Sequence, residues 1–354
     1  MTSAGILTIS LDLELHWGVH HQRSLSSHSR DLLATRDAIP RLLDLFDRYG
    51  VHGTWATVGL LFFDRKAELM GSLPDPRPRY ANAALSPYLC LGELGPNERQ
   101  DPYHFGQSLI ERIRDCPGQE IGTHTFSHYY CLEPGRSEHG QTADTFRADL
   151  LAARRAAERL GITPKSLVPP RNQIRADYLD VCHAAGIEVI CSGNPLTQDA
   201  APGQGLGLRV LREGDGAPPC SGERAHPEEN KSGLFDLGPS HQIRLRSRWL
   251  RPLQLSRITA GLADAARNRS VYHLRCHTHD FGADPDSSFR QLERVLQRFG
   301  DLSQTYGMRS HTMLDAARSW AAKEPASNGD GSKTAVGAIP EDLALPSTGR
   351  VAAE

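Results

Sequence analysis

Along most of the chain, short alternating apolar runs take turns with stripes of apolar residues at helical spacing. Ile6 to Leu13 alternates with the period of a strand. Ile39, Leu42, Leu43 and Phe46 then share one face of a helix, and Gly50 ends it ahead of a second strand, Thr54 to Val58. A strand, a helix and a strand in that order open a parallel sheet. The rhythm returns at Glu120 to Thr123, and a helix with Phe146, Leu150, Ala153, Ala157 and Leu160 on one face stops at Gly161. Strand Ser166 to Val168, a helix over about Ala176 to Ala185 halted by Gly186, and strand Ile187 to Ile190 repeat the unit. Leu255, Ile258 and Leu262 mark a further helix, Val271 to Cys276 a strand, and Phe289, Leu292, Leu296 and Phe299 another helix. A short strand near Met308 and a helix from Met313 to about Ala322 close the series.

Two stretches break this rhythm. Asp64 to Phe105 is rich in Pro, Gly and Asn with weak periodicity and reads as a long ordered insertion; Pro195 to Ser232 is a second. Beyond Ala322 the chain turns to Ala, Ser, Gly and Pro, so residues 1–322 are expected to form one α/β barrel with two loop insertions and 323–354 a disordered tail.

Composition changes this picture little. In 354 residues, 39% are hydrophobic and 23% charged, with a formal net charge of -2, near the average for globular proteins. Neither a nucleic-acid partner nor a membrane span is implied, because no stretch approaches the roughly 18 apolar residues a span needs. The first residues read as a strand rather than a signal peptide, which points to a cytoplasmic location. Of seven scattered cysteines without a Cys-x-x-Cys pair, most read as core thiols.

The chemistry is concentrated at strand ends. His124-Thr125-Phe126-Ser127-His128 follows a strand, so its two imidazoles, four residues apart, can lie on one side of a first helical turn, at ligand spacing. Alone, the pair is equally compatible with a solvated turn. Asp12 and Glu14, two residues apart at the end of the first strand, face the same side. Barrel enzymes place their chemistry at that end. One carboxylate and two histidines make a facial ligand set with open positions, and the other carboxylate is left as a base.

The chain resembles the polysaccharide deacetylases of the NodB-homology class, carbohydrate esterase family 4, over about Gly5 to Ala322. The resemblance rests on the acidic pair, on Leu42 to Gly59, on His124 to His128, on Pro169-Pro170-Arg171 and on the late strand Leu274-Arg275-Cys276-His277-Thr278-His279-Asp280. Glu120 to Pro134 and Pro170 to Gln173 look closest to a branch associated with bacterial surface-polysaccharide biosynthesis. The resemblance implies a distorted (β/α)7 barrel, a divalent metal of the zinc type, and removal of an N-acetyl group from an amino sugar in a glycan, sugar nucleotide or lipid-linked saccharide.

It also implies roles. Family members carry adjacent aspartates where this chain has Asp12-Leu13-Glu14, so Asp12 is expected as the base and Glu14, His124 and His128 as metal ligands, with the two acids interchangeable in principle. Arg171 is expected to hold the base carboxylate, although the family's arginine precedes the proline. Asn172 and Gln173 are candidates for contacting substrate. His277 is expected as the catalytic acid, with His279 a rival or substrate contact and Asp280 able to orient either ring; no acidic partner is assigned between residues 235 and 250. Trp17, after the acidic pair and near His16, His20 and His21, is expected to stack on a sugar ring. Two other functions fit the same residues: hydrolysis of a small-metabolite amide or ureide on this barrel, and sugar binding without catalysis.

Overall fold

The computed structural model describes residues 4–133, 140–192, 227–243 and 251–322. Its centre is a sheet in which β1 (Ile6–Leu13) pairs in parallel with β2 (Gly53–Thr57) on one side and β9 (Val271–His277) on the other. From β2 the sheet runs through β3 (Glu120–Thr123), β4 (Ser166–Leu167) and β5 (Val189–Ile190) to β7 (Phe235–Asp236), with β6 (Glu228–Glu229) antiparallel at that edge. From β9 it continues to β8 (His241–Gln242).

The ring closes because β7 and β8 are two ends of one extended segment. Phe235 and Leu237 donate backbone hydrogen bonds to Glu188 and Ile190 beside β5; Ser240 and Ile243 donate to His273 and Arg275 on β9. Counting that segment once gives seven strand positions, the distorted (β/α)7 barrel expected from the sequence. β10 (Arg309–Ser310) adds to the start of β1.

The strand period sorts β1 into two faces. Leu7, Ile9, Leu11 and Leu13 point outward into a shell of helices: α1 (Leu25–Tyr49), α2 (Lys66–Gly71), α3 (Gln107–Arg114), α4 (Ala143–Glu158), α5 (Leu179–Ala184), α6 (Arg251–Asn268), α7 (Asp280–Ala283) and α8 (Pro285–Tyr306). α1 carries the expected Ile39, Leu42, Leu43 and Phe46 stripe and ends at Gly50, whose φ of 60° suits glycine. Thr8, Ser10 and Asp12 point into the lumen and pair across the ladder with His273, Arg275 and His277. At the N-terminal end of the barrel, α9 (Met313–Ala321) plugs the lumen, packing Met313, Ala316 and Ala317 against Ile6, Val168 and Val271. The polar layers are thus open only toward the C-terminal ends of the strands.

The Asp64 to Phe105 insertion is ordered, as expected, and irregular. Glu98 ties it to α1 through Arg36, and Glu133 accepts hydrogen bonds from the backbone of Ala81 (2.8 Å) and Asn82 (2.5 Å). The helix expected over Ala176 to Ala185 is present as a 3-10 turn, Ala176–Tyr178, running into α5, and Gly186 follows at φ 82°. Most of the second insertion, through residue 226, and the tail from residue 323 lie outside the described residues. Cys131, Cys182, Cys191 and Cys276 are buried and unbridged, as core thiols. Among the described residues no helix is long and apolar enough to cross a membrane.

Candidate metal centre and active site

Three donors converge at the mouth of the lumen. Glu14 follows the end of β1; its Oε1 lies 3.1 Å from His124 Nε2 and 3.3 Å from His128 Nε2. All three side chains are buried. In a tetrahedral site with metal–ligand bonds of about 2.1 Å, neighbouring donors stand roughly 3.4 Å apart. The observed spacing fits.

Protonation points the same way. His124 Nδ1 lies 2.6 Å from the Val168 carbonyl, which can only accept, so the ring proton sits on Nδ1 and Nε2 presents a lone pair to Glu14. Burial pushes His128 down to about 4 despite its hydrogen bond to Glu14, so that ring is neutral. Burial raises the Glu14 carboxyl, but the facing His124 and His128 imidazoles outweigh it and hold the group well below its usual range. A carboxylate facing two imidazole nitrogens is satisfied by one divalent cation between them.

The loop carrying the histidines is not the helical turn expected from their spacing. Thr125 and His128 adopt left-handed backbone, φ 64° and 53°, at a cost of about 1–3 kcal/mol each. What holds them is a set of local bonds. His124 N–H donates to Thr57 O (2.9 Å), Gly59 and Leu60 donate to Thr125 and Phe126, and Tyr129 N–H donates to Thr125 Oγ1 (2.7 Å). Asp149 of α4, fully buried, accepts from Phe126 N–H (2.7 Å) and from the Ser127 hydroxyl. Asp149→Ala leaves those donors buried without a partner. It is expected to destabilise the fold by about 1–3 kcal/mol per lost partner and to weaken metal binding about 10- to 100-fold, read by thermal melting and metal titration. Unchanged metal affinity would remove Asp149 from the support of this loop.

Gly18 explains how Glu14 is seated. A Cβ on Gly18 would fall 1.9 Å from Glu14 Oε2, so the turn after β1 can close over the carboxylate only without a side chain there.

Asp12, fully buried, stands beside this triad. Arg275 donates to both its oxygens, and His277 Nε2 lies 3.3 Å from Oδ2. Burial opposes ionisation of Asp12, but the facing Arg275 guanidinium outweighs it and keeps the carboxyl below its usual range. His277 is 22% exposed, and its Nδ1 lies 3.8 Å from Asp280. Asp236, the carboxylate described between residues 235 and 243, instead bonds Ser192. His279 also approaches Glu14, with Nδ1 3.8 Å from Oε2, and its ring lies 4.8 Å from that of His277.

Two expectations fail. Arg171 does not reach Asp12: its guanidinium lies over the Tyr130 ring at 4.3 Å and meets His21 Nε2 at 3.2 Å. The arginine on Asp12 is Arg275, because the ladder sets it opposite Ser10, one lumen layer below Asp12 and His277. The signal was in the sequence: Arg275 shares the two-residue period of His277 on a strand otherwise apolar between them. Asn172 joins this network from the side, its Oδ1 accepting from Arg275. Gln173 is half-buried, and among the described residues its side chain makes no hydrogen bond.

Trp17, the second failure, is fully buried. Its indole N–H donates to His104 O (2.8 Å) and its ring packs on the His104 ring, so the insertion seals it in the core and it cannot stack on a ligand. His20 is held over it by a hydrogen bond from Nδ1 to Trp17 O (2.8 Å). Tyr129 and Tyr130 are also buried; Tyr129 packs on Phe146 and Tyr178, Tyr130 on His128.

Residues 31–190 match the family model described as polysaccharide deacetylase. That segment contains His124, His128 and Asn172, while Asp12, Glu14, Arg275 and His277 fall outside it. No curated protein matches the sequence. Among solved structures the chain is similar to a protein assigned as a polysaccharide deacetylase from Mycobacterium smegmatis (12% identity, 94% of this chain and 97% of that one, TM-score 0.52). It is also similar to the PuuE allantoinase (12% identity, 92% and 93%, TM-score 0.55). A 4-alpha-glucanotransferase from Thermococcus litoralis shares 10% identity over 89% of this chain and 40% of that one, with a TM-score of 0.50. At these identities the likeness is one of fold.

Proposed function

We propose, for a chain whose residues 31–190 match the polysaccharide deacetylase family model, that it removes the acetyl group from an N-acetylated amino sugar by metal-dependent hydrolysis. The observation that carries this reading is the pairing of two devices, two residues apart in sequence, at the end of β1. Glu14 completes a three-donor site with His124 and His128, and Asp12 is held ionised by Arg275 within reach of His277.

Amide hydrolysis needs an activated water, stabilisation of charge on the acyl oxygen and a proton for the departing nitrogen. A divalent cation held by Glu14, His124 and His128, zinc being suited to two imidazoles and a carboxylate, supplies Lewis acidity to the acyl oxygen and lowers the pKa of water. Asp12 takes a proton from the attacking water. Arg275, fixed by Asn172, keeps Asp12 anionic before the step and in place during it. His277 donates from Nε2 to the amine nitrogen as the C–N bond breaks, with Asp280 facing its other nitrogen. Acetate and the free amine leave.

The test is acetate release from a panel of N-acetylhexosamines, sugar nucleotides and lipid-linked saccharides by metal-loaded protein, alongside Asp12→Asn. That variant keeps the shape of the side chain and loses the base, and is expected to lower kcat about 10²- to 10⁴-fold with its metal content retained. Undiminished turnover in Asp12→Asn would remove the proposed base. Hydrolysis of a small-metabolite amide or ureide with no acetate released from any sugar would replace the deacetylase reading, and saccharide binding without turnover would replace catalysis altogether.

A further inference from the structure

Arg171, released from its expected role, is placed and held as though for another. It is exposed, and among the described residues no carboxylate lies within ion-pair distance of it. Yet it does not behave as a loose surface side chain. Its guanidinium is stacked on Tyr130 at 4.3 Å, and the Tyr130 ring meets the edge of the His128 ring at 4.9 Å, which puts the cation within about 9 Å of a candidate metal ligand.

The backbone beneath it is strained. Arg171 and Asn172 are consecutive left-handed residues, φ 57° and 54°, a conformation that arginine rarely adopts. The strain sends the two side chains in different directions. Asn172 turns in to Arg275, and Arg171 turns out over Tyr130. Anchoring Asn172 explains one half of that pair and leaves the stacked arginine without a structural reason.

His21 completes the arrangement. Its Nε2 lies 3.2 Å from Arg171 Nη2 and 2.8 Å from Gln22 Nε2, both donors, so Nε2 is the acceptor and Nδ1 carries the proton toward the Tyr130 hydroxyl at 3.2 Å. Burial and the charges of His20 and Arg171 push this histidine down to about 4, so it is neutral. A neutral acceptor orients the guanidinium without cancelling its charge. The fork is thereby preorganised for a planar or tetrahedral anion, the ligand class guanidinium groups bind through paired hydrogen bonds.

We infer that Arg171, ordered on Tyr130 and oriented by His21, binds an anionic group carried by the substrate, a carboxylate or a phosphate attached to the sugar whose acetamide enters the Glu14, His124 and His128 site. This rests on the deacetylase reading for its chemistry. The distance from Arg171 to His128 is one that a single pyranose and its substituents bridge. Arg171 is a specificity residue, selecting acidic amino sugars over neutral ones.

The test compares three substrates of metal-loaded protein: an N-acetylhexosaminuronic acid, an N-acetylhexosamine 1-phosphate and the neutral N-acetylhexosamine. Wild-type protein is expected to favour one acidic substrate over the neutral one by about 10- to 100-fold in kcat/KM, chiefly through KM. Which acid it is distinguishes carboxylate from phosphate. In Arg171→Ala the ratio of acidic to neutral kcat/KM is expected to fall toward one, with Arg171→Lys between. A ratio near one in wild type, or one that survives Arg171→Ala, overturns the inference. Should no sugar be deacetylated, calorimetric binding of hexuronate and inorganic phosphate decides the matter separately. Binding lost in Arg171→Ala at unchanged metal content supports the anion site, and binding equal in both proteins overturns it.

Discussion

Replacing His124 with alanine is expected to take the bound metal from about one equivalent to a small fraction of that and to lower kcat/KM for acetate release by at least about 10³-fold. The size follows from what the cation supplies: several kcal/mol of charge stabilisation at the acyl oxygen, each 1.4 kcal/mol being tenfold in rate. The geometry makes His124 the more sensitive of the two histidines. Its Nδ1 is locked on Val168 O at 2.6 Å, so its Nε2 is aimed before any metal arrives, whereas His128 Nδ1 is buried with no hydrogen-bond partner among the described residues. The substitution also leaves the buried Val168 carbonyl without that donor, at about 1–3 kcal/mol, so a melting curve is read beside the metal content. Chelation of the wild-type protein should reproduce the variant's inactivity and lower its melting temperature, since a ligand of the folded state alone stabilises it by mass action, and added metal should restore both. A His124→Ala protein that keeps its metal and its turnover would end the three-donor assignment.

Arg275→Met is expected to be nearly as damaging, by a different route. The substitution leaves Asp12 ionised in a fully buried site without its main counter-charge, a loss that costs about 3–5 kcal/mol when one member of a buried pair is removed. Part of that cost is relieved by protonating Asp12. The sign is clear. With Arg275 present the carboxyl is held below its usual value and stays ionised through neutral pH; without it, burial dominates and the value rises. The acid limb of the kcat/KM profile should therefore move to higher pH, with activity partly recovered as the pH is raised. Arg275→Lys keeps the charge and loses the fork, and should shift the limb less. Asn172→Ala, which frees one side of the guanidinium, should lower kcat only a few-fold. An acid limb unmoved in Arg275→Met would mean that Asp12 does not set it.

The contrast between Arg171 and Arg275 shows what one dimension can and cannot supply. Both arginines were visible, each near a motif with catalytic residues. Proximity to Pro169-Pro170 favoured the wrong one, because which cation reaches Asp12 depends on how β9 registers against β1 across 263 residues of sequence separation. Ser10 opposite Arg275 and Asp12 opposite His277 put base, acid and orienting cation on one face of two neighbouring strands. Trp17 failed for a related reason: a large aromatic next to an acidic pair looks available until the Asp64 to Phe105 insertion folds over it.

What the sequence determined by itself is whatever depends on local period and local spacing. The bounds of β1 and β3, the apolar stripe of α1, the glycines that end helices and the grouping of Asp12, Glu14, His124 and His128 at strand ends all follow from side-chain alternation every two or 3.6 residues. Tertiary structure decided the rest. It made the His124 to His128 segment a left-handed loop rather than a helical turn, since Asp149 and the backbone of Thr57, Gly59 and Leu60 offer it better partners than its own turn would. It closed the barrel through a segment from Phe235 to Ile243 too short to announce itself as strands. And it chose the partner of each buried charge, because the electrostatic cost of an unpaired ion in the lumen is set by groups that only folding brings within a few ångströms.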